Sequence, residues 1–279
     1  MDTKTEILIT RHSKKPTEND AASQKYEGIS ESGVELALQR AQDIAQILEQ
    51  SEPGTIMLII GASNVARTKS TGRIYGEELS RIFKDQNEYV VKTAAEIGSR
   101  HDLRAQITET SRQNPDKKIV IAYPLFIRQF SDPGNGFADN KGNIIPYYDA
   151  LEKKHKNDVD VMIREWIETR GKMDGLVGPD PTEVGRNVAE NGSRRTQIFV
   201  EKSGVKRKII LVFVGQSWSL DAGITYAAKG KVDLQSFEEV TGGHVIDETE
   251  LAQISISPGS SKVKYRGKEF ERKTQIPKV

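Results

Sequence analysis

Apolar residues cluster into short unbroken runs along this chain, and each run stops abruptly at polar or small residues. Ile7-Leu8-Ile9, Ile56 to Ile60, the apolar part of a strand candidate over Lys117 to Leu125, and Ile209 to Val214 are such runs. Continuous apolarity, as opposed to alternation, predicts strands buried on both faces. Between the first two, Val34, Ala37, Leu38, Ala41, Ile44, Ala45 and Leu48 keep helical spacing, with Ser30 as the N-cap. Pro53-Gly54 marks a turn, and Gly61 to Thr71 leads from the second run into another helix. Strand, helix, strand and helix in that order predict parallel pairing with right-handed crossovers, so the polar exits of these strands emerge at one edge of the sheet. The fold class read from this pattern is α/β, a three-layer sandwich with a mostly parallel central sheet flanked by helices. Ile209 to Val214, the most apolar run, is expected at its centre.

The rest of the chain is less regular. Lys14 to Gly28 reads as a loop, Glu88 to Ile97 contains an extended segment, and Ser131 to Asn143, rich in Gly, Asn and Asp, reads as a long loop or lid. Asp149 to Thr169 predicts a charged surface helix with Val159, Ile163, Trp166 and Ile167 on its inner face, Trp166 serving as a packing anchor. Thr182 to Glu201 predicts a helix feeding the central strand, and Leu251 to Ile256 an edge strand. Beyond it the chain reads as loosely ordered, ending in a basic tail over about 262–279. From Lys262 onward there are seven Lys or Arg against two Asp or Glu. Without repeats or linkers, residues 1–279 read as one domain, in which about 98–204 forms an insertion or cap.

Composition narrows the chemistry. The 279 residues carry a net charge of +1, which gives no global electrostatic case for nucleic acid or a membrane surface. With no cysteine there is neither a disulfide nor a thiolate nucleophile. No basic-then-apolar leader opens the chain and no run approaches the length of a membrane span, so the expected location is cytoplasmic.

Chemistry is expected at the strand exits, because ligands of open α/β sheets bind beyond the carboxyl ends of strands. The first exit is Arg11-His12-Ser13, the second Gly61-Ala62-Ser63-Asn64-Val65-Ala66-Arg67-Thr68, and the third Gly215-Gln216-Ser217-Trp218. A neutral imidazole supplies a lone pair that can attack phosphorus, while guanidinium groups hold phosphate oxygens and offset their charge. Lys69-Ser70 at the second exit is not a phosphate loop: Thr68 stands where the required glycine would be.

These motifs, in this order, resemble the histidine phosphatase superfamily, the phosphoglycerate mutase-like proteins. Its first strand ends in Arg-His-Gly or Arg-His-Ala, matched by Arg11-His12-Ser13. Its next helix opens Leu-Ser-x-x-Gly, matched by Ile29-Ser30-Glu31-Ser32-Gly33, and its second strand ends in Ser-x-x-x-Arg-Thr-x-x-Thr, matched at Ser63, Arg67, Thr68 and Thr71. The likeness covers roughly residues 5–83 and 207–226. It implies that His12 becomes phosphorylated and that Arg11, Arg67 and Ser13 bind the phosphoryl group. It further implies that a carboxylate after the third strand acts as the acid, with Glu96 the best match and Glu88 the weaker one. No metal or cofactor is implied. The substrate would be a small phosphorylated metabolite or a phosphoprotein. One position departs from the pattern: Gln216 stands where a second histidine is usual. Glutamine still donates hydrogen bonds to phosphate oxygens but cannot become cationic near neutral pH. Two readings follow, a phosphomonoester hydrolase in which Gln216 shares in catalysis and phosphate binding, or a degenerate member that binds a phosphorylated ligand or partner without turnover. Of the other histidines, His101 and His155 read as surface residues, and His244 is a weaker candidate for the pocket.

Overall fold

A computed structural model describes residues 5–61, 65–98, 102–123, 132–139, 141, 143–202, 207–257 and 259–274. In chain order, the first elements are β1 (Thr5–Arg11), α1 (Glu31–Glu49), β2 (Ile56–Gly61), α2 (Ala66–Ile82), β3 (Tyr89–Thr93) and the single turn α3 (Ala94–Ile97). Then come α4 (Asp102–Gln113), β4 (Lys118–Ala122), α5 (Asp132–Asn135), α6 (Pro146–His155), α7 (Val159–Glu168), and a small hairpin of β5 (Lys172–Met173) and β6 (Leu176–Val177). Next, α8 (Pro181–Arg186), a π-helical turn (Asn187–Gly192) and α9 (Ser193–Glu201) run on as one irregular helix. The chain closes with β7 (Ile209–Gly215), α10 (Ser217–Lys229), α11 (Leu234–Thr241), β8 (Leu251–Ser257), β9 (Ser260–Tyr265) and β10 (Lys268–Lys273).

Eight strands form one sheet in the order β10-β9-β8-β1-β7-β2-β4-β3. β1, β7, β2, β4 and β3 run parallel, and β8, β9 and β10 antiparallel. The fold is therefore mixed α/β, a large and mostly parallel sheet flanked by helices. Successive side chains of the parallel strands enter opposite cores, which is why their sequences are unbroken apolar runs. Leu8, Ile59, Val212 and Val214 pack with Ala37, Ile44, Ile74 and Leu79 of α1 and α2. Ile7, Ile9, Leu58, Leu211 and Phe213 pack on the other side, with Trp166, Val184, Leu220 and Ile224. Gly76 lets α2 lie close on β4, since a Cβ there would run into Ala122. That seating fixes where α2 begins, and Arg67 stands in its first turn.

Three expectations need correction. Asp149 to Thr169 is not one helix: Lys156 and Asn157 take positive φ of 51° and 65°, ending α6, and Asp158 caps α7 with its side chain. The face of α7 that carries Trp166 is buried, as its part as a packing anchor requires. β8 is interior, paired with β1 on one side and β9 on the other. The segment after it is an ordered antiparallel ladder through Lys273, and its basic residues face carboxylates across the strands, Lys262 with Glu271 and Lys264 with Glu269. Among the described residues no helix is long and apolar enough to cross a membrane.

Candidate functional site

Backbone and side-chain bonds draw the three strand exits together. His12 N–H donates to Gly215 O at 2.9 Å, binding the end of β1 to the end of β7. Ser13 N–H donates to Thr71 Oγ1 at 3.0 Å, and that hydroxyl donates on to Arg67 O at 2.8 Å, tying the same exit to α2. His12, Arg67 and Gln216 meet as a consequence. Arg67 Nε donates to His12 Nε2 at 2.9 Å, and its Nη2 donates to Gln216 Oε1 at 3.2 Å.

The protonation state of His12 follows from its partners. Nδ1 lies 2.7 Å from Ser13 O, which can only accept, so Nδ1 carries the hydrogen and Nε2 presents its lone pair. Burial pushes the imidazole down to about 3, and the nearby positive charges of Arg67, Arg11 and Lys15 add to this against the Ser13 hydrogen bond. At neutral pH His12 is an uncharged imidazole of fixed tautomer, its Nε2 lone pair accepting from Arg67.

In front of Arg67 and Gln216 lies a cavity of about 320 Å³, the size of a small-ligand site. The start of α10, Gln216 to Ser219, lines it. Gln216 is the N-cap residue yet makes no capping bond, its oxygen being given to Arg67 instead. The amide end of this helix of 13 residues favours an anion. Opposite stand Phe137, Tyr148 and Trp218, with the half-exposed Ile144 at the rim. Their rings touch edge-on or tilted, Tyr148 and Trp218 at 4.9 Å and Phe137 and Trp218 at 5.7 Å, with Trp166 stacked behind Trp218 at 5.3 Å. Trp218 Nε1 is buried and meets no acceptor among the described residues. Glu152 from α6 supplies the carboxylate of the lining.

Other residues singled out from the sequence lie elsewhere. Arg11 does not turn to the cavity: its Nη1 donates to Ile246 O at 2.9 Å and its Nη2 pairs with Glu248 at 3.4 Å. Ser13 is fully buried and its hydroxyl donates to Gly33 O at 2.5 Å, so it fastens the loop to α1. Glu96 is exposed, accepts from the backbone and hydroxyl of Thr93 in a capping box, and pairs with Lys92. Its neighbours hold it below the usual carboxylate range, the Thr93 bonds outweighing partial burial. Glu88, the weaker candidate, accepts through its backbone carbonyl from Lys118 N–H at the start of β4, and its side chain does not line the cavity. His155 binds Glu165 and His244 binds Asp160, both outside the cavity lining. Ser63 and His101 lie outside the described residues. The aromatic wall and Glu152 were not found from sequence. Glu152 sits in a run of charges that reads as a solvated face, and Phe137 and Tyr148 follow no motif.

No protein-family model and no curated protein sequence matches the chain. Its structural neighbours are histidine phosphatase and phosphoglycerate mutase-like proteins. The open reading frame Rv3214 from Mycobacterium tuberculosis aligns with a TM-score of 0.45 at 10% identity, covering 94% of this chain and 97% of that one. The mycobacterial glucosyl-3-phosphoglycerate phosphatase Rv2419c gives 0.43 at 11% identity over 90% and 89% of the two chains. A phosphoglycerate mutase from Bacillus anthracis gives 0.43 at 12% identity over 98% and 94%.

Proposed function

We propose that the protein is a phosphomonoester hydrolase that works through a phosphohistidine on His12. The observation that carries this reading is the pairing of an uncharged His12, whose Nε2 lone pair accepts from Arg67, with a guanidinium that also reaches Gln216 and lines the cavity; His12 itself is buried and outside the lining. On substrate entry Arg67 Nε–H turns from Nε2 to a phosphoryl oxygen. Nε2 then forms the N–P bond as the ester P–O bond breaks, and the leaving oxygen takes a proton from Glu152. Water attacks the phosphohistidine next, its proton passes to the Glu152 carboxylate, and the N–P bond breaks to release phosphate. Arg67, the Gln216 amide and the N-terminus of α10 offset the charge that develops on the phosphoryl oxygens. The organic part of the ester packs against Phe137, Tyr148 and Trp218, which favours a small substrate with an apolar or aromatic portion. His12→Ala is expected to abolish phosphate release from p-nitrophenyl phosphate, and wild type quenched in alkali should retain an acid-labile phosphoryl group. Activity undiminished in His12→Ala would overturn the mechanism.

Binding without turnover is favoured by one observation: Arg67 blocks the lone pair while Arg11 is committed to Ile246 and Glu248. Gln216→His separates the two readings. A rise in hydrolysis of about tenfold, from a restored cationic donor, marks a slowed catalyst. An unchanged rate, with orthovanadate still raising Tm, marks a binding protein.

A further inference from the structure

A second basic site stands apart from the cavity. α4 and α9 enclose an open groove of about 750 Å³ whose charged lining is Arg104, Arg194, Arg195 and Lys202; no carboxylate lines it among the described residues. Many surface cations elsewhere face a carboxylate, as Lys153 does Asp149, Arg164 Glu238, Arg186 Glu183 and Lys229 Glu239. Arg194 and Arg195 of α9 and Lys202 just after its end line the groove together, and Arg104 reaches it from α4. Like charges so placed repel one another, a cost that an anion between them would remove. The groove is also partly preorganised. The Arg104 guanidinium lies over the Phe199 ring at 5.3 Å, and the π-helical turn Asn187–Gly192 precedes the cationic face, a helix irregularity that recurs at functional sites.

We infer that this groove binds a small ligand carrying several phosphoryl groups, separate from the phosphate ester in the cavity. Its bounded volume suits a small molecule, and its cations are gathered at one place, whereas an extended nucleic-acid track would spread them along a face. A chain of polar side chains, partly buried at Asn187 and buried at Asn135 and Ser219, divides the two sites. Asn187, which lines the groove, donates to Asn135 Oδ1 at 2.9 Å, and Asn135 donates at 3.1 Å to Ser219 Oγ, which lines the cavity. The groove and the cavity are therefore separate sites whose walls meet through two hydrogen bonds.

Calorimetric titration with sodium tripolyphosphate tests this without reference to His12 chemistry. Wild type is expected to bind one equivalent, more weakly as NaCl rises, and His12→Ala to bind equally well. Arg194→Gln/Arg195→Gln should weaken binding at least tenfold, and Arg104→Gln, on a different helix, should weaken it in the same direction; all three positions are exposed, and circular dichroism would verify folding. Prior saturation with orthovanadate should leave the tripolyphosphate isotherm in place. Binding that survives both groove variants, or that orthovanadate abolishes, would overturn the assignment. So would retention of an oligonucleotide by a protein that ignores tripolyphosphate.

Discussion

Two arginines flank the end of β1, and the chain uses them in opposite ways. Arg67 keeps its guanidinium among groups that a ligand can displace, the lone pair of His12 and the amide oxygen of Gln216, at the mouth of a cavity. Arg11 spends its charge inside the protein. It bonds the carbonyl of Ile246, whose N–H in turn bonds the buried carboxyl of Asp221, and it pairs with Glu248. Arg11 Nε and Asp221 Oδ2 are both buried without partners among the described residues. One region holds its polar groups ready for a ligand, and the other closes the β8 side of the sheet. Two arginines that the motif order assigns to one phosphate site can therefore divide, one lining the cavity and the other tying the fold together.

Substituting each arginine in turn gives the largest separation. Arg67→Ala is expected to lower kcat by about 10²- to 10³-fold, the usual loss of one preorganised donor, with little change in Tm. Arg11→Ala is expected to leave the rate within about tenfold of wild type. It should cost about 1–3 kcal/mol of stability, because a buried carbonyl loses its donor and Glu248 its partner. Steady-state kinetics beside thermal denaturation would read both effects. If the Arg11 variant loses as much rate as the Arg67 variant, Arg11 swings into the cavity during turnover and the division fails.

The same division explains what was legible in the sequence. Ser30, Arg67, Thr71 and Gln216 are legible because strand exits and helix starts fix their positions locally: the Ser30 side chain caps α1 and Thr71 bridges two exits. The parallel core was legible through its unbroken apolar runs. Side-chain direction was not, since Arg11 is turned away by Ile246 and Glu248, residues more than two hundred positions downstream. Glu96 matched a motif position yet was captured by its own N-cap, Thr93, a local competitor that outbids a distant cavity. β8 was legible as a strand over Leu251 to Ile256 but not as an interior one, and β9 and β10 were missed: the lysines that alternate with Val263 and Tyr265 in β9 read as part of a basic tail, and β10 is largely exposed. Trp166 was legible as an anchor, but the break at Lys156 and Asn157 was not, as neither is a residue that demands positive φ.

Proton linkage sharpens the comparison with a smaller effect. Burial pushes the Asp221 carboxyl from 3.8 up to about 8, against the pull of the Ile246 N–H and the Arg11 charge. The folded protein thus holds a proton that the unfolded chain releases, so Asp221 erodes stability as pH rises from about 4 to about 8. His12 acts in the reverse direction: the unfolded chain gains a proton below 6.5 and the folded protein only near 3, so stability falls as pH drops across that interval. Asp221→Asn should remove the alkaline slope alone. The expected gain is about 1–3 kcal/mol at pH 8, shrinking toward pH 4. Urea denaturation at pH 4, 6 and 8 would measure it. A variant whose stability follows the wild-type curve at every pH would show that Asp221 is ionised in the fold, its charge held by Arg11.

The smallest effect concerns the carboxylate that motif spacing favoured and geometry did not. Glu96 is N3 of the four-residue α3, where its oxygens satisfy the Thr93 N–H and hydroxyl. Such a box contributes about 0.5–1 kcal/mol, and the Glu96–Lys92 pair is exposed and adds little. Glu96→Ala should therefore lower Tm by a degree or so, about the shift that so small a loss produces in a chain of this length, and leave kcat unchanged. Glu152→Gln should instead lower kcat by about 10²-fold and flatten the pH dependence of the rate, since it removes the carboxyl that moves the proton. If the two variants exchange outcomes, the acid comes from the end of β3, as the motif order implies, and reaches the cavity only once a substrate has drawn Glu96 away from Thr93.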